Sequence, residues 1–149
     1  MNSPSTNQII YSIPITLFAH QLEEYLGHFP EWYSNLLNTQ LSTDDFIYIN
    51  SIGLTIIIGL AVTSVVNANF QIPVALGTLI FVNGIIHLLI TIFTLSYSPG
   101  TITGVVFFIP LGLLIYKKLL PLLTPTEQLI AISSGIAGLI CVSIIAFNI

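Results

Sequence analysis

Charged side chains are scarce in this sequence. Only 5% of its 149 residues are Asp, Glu, Lys or Arg, and 54% are hydrophobic. A soluble domain carries about 25% charged residues. So little charge cannot keep a water-facing surface soluble, which indicates that the lipid bilayer surrounds this protein.

Basic residues are the rarest charged type. Lys117 and Lys118 are the only Lys or Arg residues, and the net charge is −4. Without a basic patch the chain has no site for nucleic acid, which we exclude as a partner. The single cysteine, Cys141, permits no disulfide within the chain.

Long apolar runs fill most of the sequence instead. Each approaches or exceeds the roughly 20 residues that a helix needs to cross a bilayer. They are too long and too uniform for transmembrane strands, which have about 10 residues and alternate polar with apolar ones. We therefore predict helices over residues 46–68, 72–96, 101–120 and 129–147.

A fifth segment, residues 8–27, is less apolar. Its eight strongly apolar residues contribute about −0.3 to −0.6 kcal/mol each to insertion, whereas two mid-membrane acids cost about 5 to 7 kcal/mol together. The segment can span the membrane if Glu23 and Glu24 face other helices. We predict an all-α, polytopic membrane bundle of about five transmembrane helices, forming a single domain over residues 1–149.

The stretch between the first two helices is polar with aromatic residues. We expect a loop there, in which Pro30 breaks the helix and Asp44 or Asp45 caps the next one. His28 and Glu31 in this loop are expected to be solvated or to form a lid.

The two lysines give an orientation. They lie at the end of the fourth long helix, and the positive-inside rule places that end in the cytoplasm. The protein is then a multi-pass integral protein of the cell membrane with a cytoplasmic N-terminus.

Polar residues concentrate where the connectivity brings helices together. His20, Glu23 and Glu24 lie near the end of the first helix, and Asn83 and His87 lie in the third helix at a similar depth. Both sets have the i, i+3 or i, i+4 spacing of one helix face. Ionisable side chains within a membrane face the bundle interior and pair there, so we predict one cluster.

The turn after the third helix lies at the same end. Pro99 breaks the chain there, and the free N–H groups of the next helix are expected to point at the cluster or at an anionic oxygen of its ligand. We assign substrate binding to Ser98, Gly100, Thr101 and Thr103.

Two motifs resemble those of a known family. "HQLEE" at residues 20–24 resembles the signature of the HXXEE domain, a family of small prokaryotic membrane proteins, and "NGIIH" at residues 83–87 matches its Asn-x-x-x-His motif. "SPGTITG" is similar to its Pro-Gly-centred stretch. The resemblance implies an enzyme without an established reaction, with catalytic residues His20, Glu23, Glu24, Asn83 and His87.

Three functions fit this cluster. The first is an intramembrane enzyme that uses a protonated and a charged carboxyl for acid–base catalysis on a lipid-like or hydrophobic substrate. In the second, His20, Glu24 and His87 bind zinc or iron, and Glu23 acts as the base. The third is a proton-coupled carrier or a small membrane subunit, for which oligomerisation is expected. If these residues form no functional site, His20, Glu23 and Glu24 are a solvated helix end, and Asn83 and His87 form interhelical hydrogen bonds.

Overall fold

The computed structural model describes residues 4–148, and within that range the protein is helical and contains no strand. The all-α prediction is confirmed. A single long helix begins at Thr101 and includes one π-helical turn, Gly104–Phe108, between two α-helical parts, Thr101–Thr103 and Ile109–Lys118. The helices are α1 (Thr6–Leu26), α2 (Phe29–Leu37), α3 (Thr43–Val66), α4 (Gln71–Thr94), α5 (Thr101–Thr103), α6 (Ile109–Lys118) and α7 (Pro125–Asn148).

Four helical stretches are long and apolar enough to cross a membrane. They have 22 to 24 residues each and comprise Thr43–Val66, Gln71–Thr94, Thr101–Leu122 and Pro125–Asn148. The α1 helix has 21 residues. At about 1.5 Å per residue this is close to the thickness of a hydrocarbon core of about 30 Å. The bundle thus agrees with the prediction of about five long helices.

The α1 helix buries two ionisable residues on its inward face and exposes large apolar side chains on its outward face. Large side chains such as Ile15 and Phe18 are 68% and 58% exposed. This outer surface suits acyl chains and not water. The inward face carries the two ionisable residues His20 and Glu24 together with Ile9, Ile10, Ile13 and Leu17.

The α4 helix lies at the centre and packs against α6 and α7, while α1 packs against α3. The α4 helix also closely approaches the helix that begins at Thr101. A Cβ atom on Gly84 would lie 2.9 Å from the carbonyl oxygen of Gly104 and 3.1 Å from Cβ of Phe108. This glycine contact holds Asn83 and His87 next to the start of that helix.

Hydrogen bonds fix the ends of α7. The Thr39 hydroxyl donates to the carbonyl oxygen of Phe147 at 3.3 Å, and Gln71 Nε2 donates to Glu127 Oε1 at 3.0 Å. The C-terminal end of α7 therefore lies at the same end of the bundle as the C-terminal end of α2. Lys117 and Lys118, at the end of α6, lie at the opposite end. The cytoplasmic placement of the lysine end stays a prediction.

Two local predictions between α1 and α3 are wrong. The predicted loop contains α2, and Pro30 lies in its first turn, where a missing N–H leaves no hydrogen bond unmade. The chain breaks earlier, at Gly27 and at His28, whose φ is 55°. The α3 helix is capped by Ser42, whose Oγ accepts from the N–H of Asp45 at 3.1 Å.

We expect Gly84→Val to lower the free energy of unfolding by about 1–3 kcal/mol, because overpacking forces backbones apart. Gly59→Val is the matched control, since a Cβ atom there meets nothing within 4 Å. Thermal unfolding in detergent micelles measures both. Equal midpoints for the two variants would contradict the close contact of α4 with Gly104.

Candidate functional site

Glu24 lies between two histidines in the interior. Its Oε1 atom is 3.5 Å from Nε2 of His20 and 3.4 Å from Nε2 of His87. His20 and Glu24 share a face of α1, and His87 comes from α4. The three residues are 2%, 7% and 5% exposed. The structure thus brings together three of the five residues predicted to meet, in a buried His–Glu cluster.

Each imidazole is held through its other nitrogen by a hydroxyl group. Nδ1 of His20 lies 2.8 Å from Oγ1 of Thr103, and Nδ1 of His87 lies 3.1 Å from Oγ of Ser98. The two rings meet edge to face with centroids 5.0 Å apart, and the Phe108 ring lies 4.3 Å from that of His20. These contacts fix the direction in which both Nε2 atoms point.

Gly100 packs directly against both rings. A Cβ atom on it would lie 2.7 Å from Cε1 of His20 and 2.9 Å from Cε1 of His87. Its φ of 98° also lies in the region that favours glycine. A side chain at this position would push the imidazoles away from Glu24.

Glu23 has a different set of partners from Glu24. Its Oε1 accepts from the N–H groups of Gly100 and Ile102 at 3.2 and 2.9 Å. Its Oε2 accepts from the N–H of Thr103 at 2.6 Å and from the Thr103 hydroxyl. Glu23 therefore caps the helix that begins at Thr101. We predicted that these N–H groups would point at a ligand, but they point at Glu23. We also predicted that Glu23 and Glu24 would form an acid pair, but the two carboxylates have separate partners.

Tyr97 completes the surroundings of Glu23. Its hydroxyl donates to Oε1 of the carboxylate. Partial burial, together with the hydrogen bond to Glu23, raises the pKa of Tyr97 to about 12. The phenol therefore keeps its proton at physiological pH and acts as a donor.

A cavity of about 180 Å³ adjoins the cluster. Asn83 lines it, and Oδ1 of Asn83 is buried without a hydrogen-bond partner among the described residues. Phe29 of α2 closes one side, with its ring 5.9 Å from that of His87. The remaining wall is largely apolar and includes Leu17, Phe46, Ile57, Leu79, Phe108 and Leu139.

The other predicted site residues lie behind the cluster and outside the cavity lining. Ser98 and Thr103 contact the imidazoles, and the Thr101 hydroxyl lies 2.7 Å from that of Thr91. Their assignment to substrate binding stays a prediction. Phe29 and Tyr33 line the cavity although they were expected in a polar loop. Their aromatic spacing on α2 was the signal for an inward face.

The fold and the cluster define a helical protein of membrane type with a buried His–Glu centre. The family described as "Protein of unknown function with HXXEE motif" matches residues 11–115. The chain belongs to this family, as its motifs predicted. No curated protein matches the chain, and no solved structure matches it.

We expect Glu23→Ala to cost about 0.5–2 kcal/mol, the usual effect of losing a helix cap. The amides of Gly100, Ile102 and Thr103, which donate to Glu23, should exchange with solvent deuterium faster than in the wild type. Glu31→Ala is the control, since Glu31 is exposed in α2. Unchanged exchange at Gly100, Ile102 and Thr103 in Glu23→Ala would show that the carboxylate is not their acceptor.

Proposed function

We propose that this protein is an intramembrane enzyme that acts on a hydrophobic substrate, with His20, Glu24 and His87 as its reacting groups. One observation supports this most strongly. All three side chains line the same largely apolar cavity, although each is more than nine-tenths buried. Ionisable groups gathered at a cavity inside a membrane bundle are expensive to keep and mark functional sites.

The cavity indicates the class of substrate. Its volume of about 180 Å³ exceeds that of an engineered cavity of about 150 Å³ that binds benzene. A ring or a short branched chain fits against its aromatic and aliphatic walls. Oδ1 of Asn83 offers an unused acceptor beside the cluster. A substrate with an apolar body and one hydroxyl or N–H group satisfies both features.

The chemistry lies with Glu24. Its carboxylate can accept a proton from a substrate in the cavity, and the two imidazoles lie 3.5 and 3.4 Å from it in the lining of the same cavity. Thr103 and Ser98 act as positioning residues because they hold the imidazoles from behind. Glu23 is a positioning residue as well, through Thr103.

The interior beyond the cluster favours an enzyme over a proton carrier. A proton path across the membrane requires polar steps on both sides of the ionisable groups. Toward the lysine end, α1 and α4 bury apolar side chains such as Ile10, Ile13 and Ile80. Thr78 and Tyr116 form one polar contact among them: the Tyr116 hydroxyl donates to that of Thr78 at 2.8 Å, and Thr78 donates to the carbonyl oxygen of Val74 in its own helix.

We expect Glu24→Gln to lower turnover about 10²- to 10⁴-fold, the usual contribution of a general base. The matched control is Glu31→Gln. Since the substrate is to be identified, the measurement is untargeted profiling of lipids and hydrophobic metabolites in membranes that carry each variant. A profile of Glu24→Gln identical to that of the wild type would overturn the proposed catalytic role.

A second variant tests the cavity without touching the cluster. Gly53 lines the cavity, and a Cβ atom on it meets nothing within 4 Å. Gly53→Leu should fill the space and abolish the same metabolite change, whereas Gly59→Leu on the same helix should leave it intact. If Gly53→Leu behaves as the wild type does, the substrate does not bind in this cavity.

A further inference from the structure

We propose that His20, Glu24 and His87 bind one divalent transition metal ion, zinc or iron(II), through Nε2 of each histidine and Oε1 of Glu24. This inference rests on the proposed function in that the ion occupies the same centre. One ligand atom from each of the three side chains lies within 4.8 Å of the other two.

The protonation of His20 follows from its neighbours. Backbone N–H groups donate to both oxygens of Glu23, so this carboxylate acts as an acceptor. The Thr103 hydroxyl donates its only proton to it. Oγ1 of Thr103 must therefore accept from His20 at 2.8 Å, which places the proton of a neutral imidazole on Nδ1. Nε2 then carries a lone pair and no proton.

That lone pair faces a carboxylate oxygen. Nε2 of His20 is buried, has no hydrogen-bond partner among the described residues, and lies 3.5 Å from Oε1 of Glu24. Two electron-rich atoms in a low dielectric repel each other unless a cation lies between them. His87 directs its Nε2 at the same oxygen and adds a second nitrogen ligand.

The distances fit a metal ion. Bonds of about 2.0–2.2 Å to nitrogen and oxygen place neighbouring ligand atoms of a tetrahedral zinc site about 3.3–3.6 Å apart. The separations of 3.5 and 3.4 Å between Oε1 of Glu24 and the two Nε2 atoms lie in this range. They are long for direct hydrogen bonds. The two separations from Oε1 of Glu24 therefore suit a bound ion better than direct contact, and the two Nε2 atoms lie within 4.8 Å of each other.

The groups behind the histidines complete the centre. Metal-binding histidines usually donate their second N–H to a fixed acceptor, which sets the ring orientation. Nδ1 of His20 donates to the Thr103 hydroxyl, which in turn donates to Glu23. Nδ1 of His87 contacts the Ser98 hydroxyl in the same position. Three protein ligands beside a cavity are the pattern of a catalytic centre, since a structural zinc site has four. Such an ion supplies a Lewis acid for water or a substrate oxygen.

Metal content of the full chain tests the inference. The protein is purified in mild detergent without chelator or polyhistidine tag, reconstituted separately with Zn²⁺ and with Fe²⁺ under anaerobic conditions, and analysed by mass spectrometry of the elements. We expect about one ion per chain, as one three-residue centre binds one metal. His87→Ala and Glu24→Gln should lose it, and His28→Ala and Glu31→Gln should keep it.

The outcomes separate this inference from the proposed function. A wild-type chain that takes up neither metal overturns the metal centre, and so does a metal content that falls with His28→Ala and not with His87→Ala. If Glu24→Gln and Gly53→Leu nevertheless abolish the metabolite change, the enzyme stands without a metal. Circular dichroism and size-exclusion profiles of Glu24→Gln matching the wild type show that a lost ion reflects a lost ligand.

Thr103→Val tests the supporting hydroxyl. Removal of such a group weakens metal affinity about 10- to 100-fold, while the metal ligands remain. Competition with a chelating dye measures the affinity in Thr103→Val and in Thr55→Val, an exposed threonine of α3. Equal affinities in the two variants would contradict the role of Thr103 in orienting His20.

Discussion

The structure depends on one carboxylate oxygen inside a lipid-facing bundle. A buried carboxylate is costly unless partners surround it. Two imidazole nitrogens from different helices converge on Oε1 of Glu24, at 3.5 and 3.4 Å, and the proposed metal ion supplies the positive partner that this oxygen needs. The contact therefore joins α1 to α4, and the turn that carries Ser98 and Gly100 holds both rings from the other side. Three stretches distant in sequence must pack together for this one group to be accommodated.

The two adjacent glutamates of the HXXEE motif, Glu23 and Glu24, have different partners. His20 and Glu24 are four positions apart and share a face, whereas Glu23 is turned by about 100° from Glu24, the rotation of one helical residue. That rotation directs its carboxylate to the first N–H groups of the helix that begins at Thr101. Uncapped N–H groups are expensive within a membrane. One glutamate thus belongs to the buried His–Glu cluster, and the other caps the start of the helix that packs against it.

The convergence of His20, Glu24 and His87 was predictable because periodicity and connectivity fix both the face and the depth of a side chain in a membrane helix. The long helices were predictable for the same reason, with ends a few residues from those observed. The partner of Glu23 was not predictable. Glu23 and Glu24, at i+3 and i+4 from His20, are equivalent in sequence, and only packing places Thr103 near Glu23. The inward turn of Phe29 was missed, in spite of the aromatic spacing, because Pro30 is compatible with a break or with a helix start. The approach of Phe108 to His20 involves a π-helical turn that the apolar run does not reveal.

The most direct test of this account is the proton position on His20. Nitrogen-15 NMR of histidine-labelled protein in lipid bilayers distinguishes Nδ1 from Nε2 protonation, and His28, which is exposed, serves as the internal reference. The account predicts that Nδ1 of His20 is protonated and Nε2 is not, and that Glu24→Gln shifts the signals of His20 and His87 while His28 stays unchanged. A proton on Nε2 of His20, or a His87 signal that ignores Glu24→Gln, would contradict it.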